Sequence, residues 1–206
     1  RFCAVGTVKD PPELNAEEPK ELADAVFNMG LSYAVITVVN RDDLQDGGAM
    51  HYRDCISEVA SKNPDVGLEL LCSDLDGNLE ALEEMLDGLP LRVFAHNVEC
   101  VPRLDRVVRD HRASFGQSLD ILRKAKEVRP DILTKTSLMV GLGESDEEVE
   151  ETMKMIREAG VDMITLGQYL QPSFRHLPVD RFPEPSNFAD WDRLARELGF
   201  GAVASG

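Results

Sequence analysis

Short apolar runs alternate along this chain with stretches of helical periodicity, and few folds accommodate that rhythm. Residues 33–39, 66–72, 91–98, 132–140 and 161–170 are rich in β-branched and aliphatic side chains and read as buried strands. Between them lie amphipathic stretches at 17–29, 49–61, 78–86 and 118–128, the first running into Gly30 as a C-cap. Ser145-Asp-Glu-Glu148 is a capping box, and it opens a helix with Val149, Met153 and Ile156 on one face. A last helix is expected over 188–198, ending at Gly199, with further strands at 1–5 and 201–204. Buried strands separated by helices build βα units around a mostly parallel sheet, so the expected class is α/β. An eight-unit barrel takes about 250 residues. The 206 residues here suit six units in one domain. Arg1 has no methionine before it and the chain stops at Ser205-Gly206 without a closing helix, so it reads as a fragment truncated at both termini.

Charge narrows the range of partners. Twenty-two Lys and Arg against 38 Asp and Glu leave a net charge of −16, which repels phosphate backbones and sets nucleic acid aside. No apolar run approaches the roughly 18 to 20 residues of a membrane span, and the start lacks a signal-like segment. Cys3, Cys55, Cys72 and Cys100 are scattered with no C-x-x-C pair. That is not a disulfide framework, and it points to a reducing, cytoplasmic setting.

Candidate chemistry gathers where the strands should end. The exits carry Thr37-Val-Val-Asn-Arg-Asp-Asp-Leu44 with Gly47-Gly48, then Cys72-Ser-Asp74, then Ala95-His-Asn-Val-Glu99. Lys135 lies in the next strand, which runs into Gly141-Leu-Gly-Glu144, and the following one gives Gly167-Gln-Tyr169, Gln171-Pro-Ser173 and His176. Polar groups are costly in a core and cheap in a wet site, so this end of the sheet reads as a ligand-binding face. His96 is either a hydrogen-bonded core histidine or a functional group. Lys135 suits a Schiff base or a clamp for a carboxylate. Gly141 and Gly143 allow close approach of a flat ligand or simply turn the chain into a helix. The Asp42-Asp43 pair reads as a helix cap before a metal site. Cys55 reads as packing, and Cys72 and Cys100 as buried small hydrophobes. Cys3, directly after Phe2, carries the most weight, although one cysteine alone says little about metal.

Taken together, Phe2-Cys-Ala-Val5, Thr37 through Gly48, Ala95-His-Asn-Val-Glu99, Thr134-Lys-Thr-Ser-Leu-Met-Val-Gly-Leu-Gly-Glu144, Gly167-Gln-Tyr-Leu-Gln-Pro-Ser173, His176-Leu-Pro178 and Ala204-Ser-Gly206 resemble the lipoyl synthase family of radical S-adenosylmethionine (SAM) enzymes. The resemblance implies a partial (β/α)6 barrel, with residues 1–206 a single radical SAM core domain. It implies that Cys3 is the third cysteine of a C-x-x-x-C-x-x-C loop holding a 4Fe–4S cluster whose open iron binds SAM. Reductive cleavage would then give a 5′-deoxyadenosyl radical that takes hydrogen from C6 and C8 of an octanoyl chain. A second, auxiliary 4Fe–4S cluster would donate the two sulfur atoms. The implied partners are an octanoylated lipoyl domain or the glycine-cleavage H protein, with ferredoxin or flavodoxin as electron donor. By position, Phe2 would pack near the adenine, Asn97 and Glu99 would hydrogen-bond ribose or methionine, and Lys135 would pair with the methionine carboxylate. Gly141 and Gly143 would lie against the adenine, and Thr37 and Gln168 complete the cofactor-contacting set.

Val38, Asn40, Cys72-Ser73 and Cys100 depart from residues usual in that family. The chain also lacks the other radical-cluster cysteines, the three auxiliary-cluster cysteines and the carboxyl-terminal serine of the auxiliary site, so by itself it is expected to be inert. Alternatives are a biotin-synthase-like sulfur-inserting enzyme, a metal-free barrel lyase using Lys135, and a non-enzymatic module that only binds the carrier domain.

Overall fold

A computed structural model describes residues 2–6, 8 and 10–206. They group into two compact units, one formed by Val8–Ala95 with Lys124–Leu133, the other by Arg1–Thr7, His96–Arg123 and Thr134–Gly206. Six parallel strands follow in sequence order, three in each unit.

The first unit opens with α1 (Glu18–Met29), which stops at Gly30 in the left-handed conformation, its N–H returned to the Phe27 carbonyl. β1 (Tyr33–Thr37) follows, then α2 (Ala49–Lys62), β2 (Gly67–Leu71), α3 (Leu79–Leu86) and β3 (Val93–Ala95). Thr37 stands level with Leu71, and Leu71 with Ala95, so the strands of this unit end in step. Ala23 and Val26 of α1 are buried where it packs on α2, which contributes Tyr52, Cys55, Ile56 and Val59 to the core. Arg53 donates to the Glu84, Met85 and Asp87 carbonyls, satisfying the open end of α3 and placing a cation at its negative pole.

In the second unit a short helix α4 (Asp105–Val108) and α5 (Phe115–Val128) precede β4 (Leu133–Val140), α6 (Asp146–Glu158), β5 (Met163–Gln168), α7 (Pro185–Glu197) and β6 (Ala202–Ser205). β4 alternates. Thr134, Thr136, Leu138 and Val140 are buried, whereas Lys135, Ser137 and Met139 are half-buried on the other face. The register sets Met163, Thr165 and Gly167 of β5 beside those three. The buried threonines have partners: Thr134 donates to Asp162 and Thr136 accepts from the Val98 N–H.

Three sequence expectations need correction. Arg1 lies outside the described residues, and Phe2 to Val5 form no strand; Cys3, Ala4 and Val5 are exposed, with no ladder to hold them extended. The six strands are therefore the five apolar runs and the last short one. Burial on both faces holds for β2 and β3 but not for β1, β4 or β5, whose alternation the aliphatic composition conceals. The run at 91–98 yields only three strand residues, because the chain leaves regular pairing at His96 and makes a single bridge from Glu99 to Leu138.

The loop after β1 closes on Tyr52, whose hydroxyl sits 2.8 Å from the Val39 carbonyl and 2.9 Å from that of Gly47. Gly48 has φ +90°, and a Cβ there would stand 2.6 Å from the same hydroxyl. Gly48→Ala therefore combines left-handed strain with a clash and should destabilise the fold by about 2 kcal/mol or more. Thermal unfolding of the full-length protein would show this as a lowered Tm.

Candidate functional site

The turn after β4 is closely built. Gly141 and Gly143 have φ of +97° and +106°, a region that side chains disfavour. Glu144, only 4% exposed, folds back so that its carboxylate accepts from Gly141 N at 2.6 Å and Leu142 N at 2.9 Å. A Cβ on Gly141 would fall 2.4 Å from Gln168 Nε2 and 2.5 Å from the Arg181 carbonyl. The close approach permitted there is filled by the protein's own groups, whereas at Gly143 the nearest atoms are those of the Asp180 carboxyl, 3.7 Å or more away. Gln168 donates to the Val140, Tyr169 and Arg181 carbonyls and so pins the end of β5 to the turn.

Two arginines that composition does not single out complete this turn. Arg103 donates to the Gly143 carbonyl at 2.7 Å and makes a two-pronged pair with Glu148 at 2.6 and 2.8 Å. Arg103, together with the Ser145 N–H of the capping box, holds the Glu148 carboxyl down at about 2. Arg181 donates to Asp146 at 2.6 Å, while its Nε, buried and without a hydrogen bond among the described residues, lies 3.5 Å from Glu144.

Beside β4 runs the segment after β3. His96 N donates to the Lys135 carbonyl, Glu99 N to that of Ser137, and Met139 N to that of Glu99. Glu99 adopts φ +70°, which costs a non-glycine residue roughly 1–2 kcal/mol and persists because both its backbone groups are tied to β4. Burial pushes the Glu99 carboxyl above the ordinary carboxylate range, against the opposing pull of Arg109 and of a hydrogen bond from Asn97. Asn97, Glu99 and Lys135 are all half-buried in this unit, and Lys135 shares its strand face with Ser137. His96, by contrast, is buried with Nε2 2.8 Å from Ser118 Oγ, the core-histidine arrangement.

Cys3 is exposed and its sulfur accepts the Val5 N–H at 3.4 Å; Phe2 beside it is half-buried. The other three cysteines are buried, and burial pushes the Cys55 thiol up to about 11 and those of Cys72 and Cys100 to about 12, leaving them protonated and inert. Among the described residues no group of three His, Cys, Asp or Glu could hold a metal ion. Cys3, with its backbone donor aimed at sulfur, fits one corner of an iron–sulfur cluster, and the described residues do not furnish the rest. At the head of α2 it is Asp46 that accepts from Gly48 N and Met50 N, while Asp43, read with Asp42 as a helix cap, pairs with Arg41. Sequence alone sets these three aspartates too close together to choose between them.

Thr37 lies in the first unit, exposed at the end of β1. It borders a mostly apolar hollow of about 580 Å3 that also takes in Leu22, Val26 and Met29 of α1. That hollow lies along α1 and β1, and its only strand-exit residues are those after β1.

A carboxyl held below its unfolded value stabilises the fold above about pH 4.5 and loses that contribution as the pH falls toward 2. Glu148→Gln should therefore narrow the stability lost between pH 5 and pH 3, as read by urea unfolding of the full-length protein. The change is modest, because Arg103 is 57% and Glu148 30% exposed.

The sequence matches the radical SAM superfamily over residues 1–156. It is 52% identical to the mitochondrial lipoyl synthase of Bos taurus and 50% to that of Homo sapiens, each over the whole of this chain and 55% of the relative. The chain thus spans about half the length of the curated relatives it matches. Among solved structures it is similar to methylornithine synthase, with 15% identity and a TM-score of 0.67 over 94% of this chain and 63% of that one, a likeness of fold. With the six parallel strands, that likeness bears out the partial (β/α)6 barrel. The cytoplasmic setting drawn from the cysteines is overturned by the relatives' names, which are those of mitochondrial proteins. Free thiols report a reducing environment and carry no address. The metal-free lyase reading of Lys135 also gives way, since the family match covers the strand that bears it. By this match over three-quarters of its length, the chain belongs to the radical SAM superfamily.

Proposed function

We propose that the protein carrying this chain is a lipoyl synthase, inserting two sulfur atoms at C6 and C8 of an octanoyl group borne by a lipoyl carrier domain. The observation that carries this reading is the identity of about half of all positions, along the whole chain, with proteins of that name. Residues 1–206 are then one radical SAM core domain. When bound, a 4Fe–4S cluster and SAM supply reductive cleavage of a sulfonium and, from it, hydrogen abstraction from an unactivated carbon.

The chain's own residues bind and orient. Cys3 supplies one thiolate, its sulfur already accepting the Val5 N–H. Lys135, half-buried on β4, pairs with the methionine carboxylate, a charge-assisted contact strengthened where water is scarce. Asn97 and Glu99 hold ribose or amino groups from the neighbouring segment, with the Glu99 backbone fixed by its two bonds to β4. Phe2 and the turn at 141–143, braced by Gln168, border the adenine. The remaining cluster ligands and a second, sulfur-donating 4Fe–4S cluster come from parts of the protein beyond these residues. An octanoylated lipoyl domain or glycine-cleavage H protein is the substrate, ferredoxin or flavodoxin the reductant, and the mitochondrion, as for the named relatives, the setting.

The test is made on the full-length protein, purified without oxygen and reconstituted with iron and sulfide. About eight irons per chain, with 5′-deoxyadenosine and a doubly sulfurated octanoyl peptide as products, is the expected result. About four irons, with SAM cleavage but no sulfur insertion, would assign another radical enzyme to this scaffold. Cys3→Ala should remove about four irons per chain and abolish SAM cleavage. Lys135→Met should raise the KM for SAM by about 10–100-fold with a much smaller change in kcat.

A further inference from the structure

The segment after β5, Gln171-Pro-Ser-Phe-Arg-His176, is too polar for a strand and too exposed for core, yet it is closely folded. Its geometry converges on one imidazole. Ser173 Oγ lies 2.8 Å from His176 Nδ1, and His176 N donates to the Ser173 carbonyl at 2.9 Å. Gln171 Nε2 donates to the His176 carbonyl at 2.9 Å. Next along, the Leu177 carbonyl accepts from the hydroxyl of Tyr169, a buried side chain at the end of β5. His176 is therefore held on both sides, by Gln171 and Ser173 of its own loop and, through Leu177, by Tyr169 just after β5.

Its other nitrogen, Nε2, lies 2.9 Å from the Cys3 carbonyl oxygen, a contact spanning 173 positions of sequence. A carbonyl only accepts, so Nε2 carries the proton; in the neutral ring Nδ1 then accepts from the Ser173 hydroxyl, and the tautomer is fixed. The bond holds the peptide plane joining Cys3 to Ala4, and the N–H of the next peptide, that of Val5, points at Cys3 Sγ. From this we propose that His176 is a positioning residue for Cys3, oriented by Ser173 and acting through the Cys3 backbone to set the direction of the thiolate and its N–H···S bond. The inference rests on the assignment of Cys3 as a cluster ligand. N–H donors on cluster sulfurs stabilise the more negative reduced state, so this bond tunes the redox behaviour as well as the grip on iron.

The experiment uses the full-length, reconstituted protein and the part of its reduced-cluster EPR signal that changes when SAM is added. His176→Ala should shift the midpoint potential of that signal to more negative values and speed loss of its iron to a chelator by about 10-fold. His176→Gln, whose amide can still donate to the Cys3 carbonyl, should restore most of both. Ser173→Ala, an exposed change that leaves the imidazole in place but unoriented, should shift both in the same direction by less, and it carries the test if His176→Ala fails to fold. A purely structural brace predicts a lowered Tm with potential and iron release unchanged, and that result overturns the proposal while leaving the function intact. A wild-type protein that takes up no SAM-responsive cluster overturns the functional reading and this inference with it.

Discussion

A carboxylate shut away from water must have its charge answered on the spot, and in the second unit Glu144 imposes that demand on everything near it. Its oxygens are met by the N–H groups of Gly141 and Leu142, which forces the chain to reverse at once after β4, and only glycines take the resulting dihedrals cheaply. The Arg181 guanidinium, 3.5 Å away, continues to Asp146 at the start of α6, and Asn187 of α7 bonds the same aspartate. One buried charge thus ties the end of β4, the head of α6 and the head of α7 together. Removal of the carboxylate would leave Arg181 half-paired in a place where its Nε already lacks a hydrogen bond.

The cysteines show how environment separates identical side chains. Burial, with Asp74 near Cys72 and Asp105 near Cys100, pushes their thiols up to about 12, and they act as small hydrophobes. Cys3 alone is open to solvent, and its neighbours are aimed at it: a backbone N–H at the sulfur and an imidazole at the carbonyl. That asymmetry supports the role proposed for Cys3.

Much of the architecture is legible along the chain because βα alternation is a local property. Periodicity and the Gly30 stop place α1, and the Ser145 box the start of α6, to within a residue of where they lie. The alternation of β4 was not legible: Thr134, Thr136, Leu138 and Val140 differ little in composition from Ser137 and Met139, and only packing decides which set is buried. Glu144, Arg103 and Arg181 were missed as supports of the turn for a related reason. Charged residues abound in this acidic chain, and nothing local marks one of them as sealed from water or as reaching 40 positions away to the Gly143 carbonyl.

The α/β class, the sites where polar groups leave the strands and, through extended strings of matching residues, the radical SAM superfamily are all written along the chain. These follow from short-range periodicity and from residue identity, which the chain carries before it folds. Only the closed fold shows that His96 is a core group satisfied by Ser118, that Asp46 accepts at the head of α2, and that His176 reaches Cys3. Each of these depends on which partner stands within about 3 Å once the chain has closed on itself, and hydrogen bonds are too short in range for linear order to reveal that.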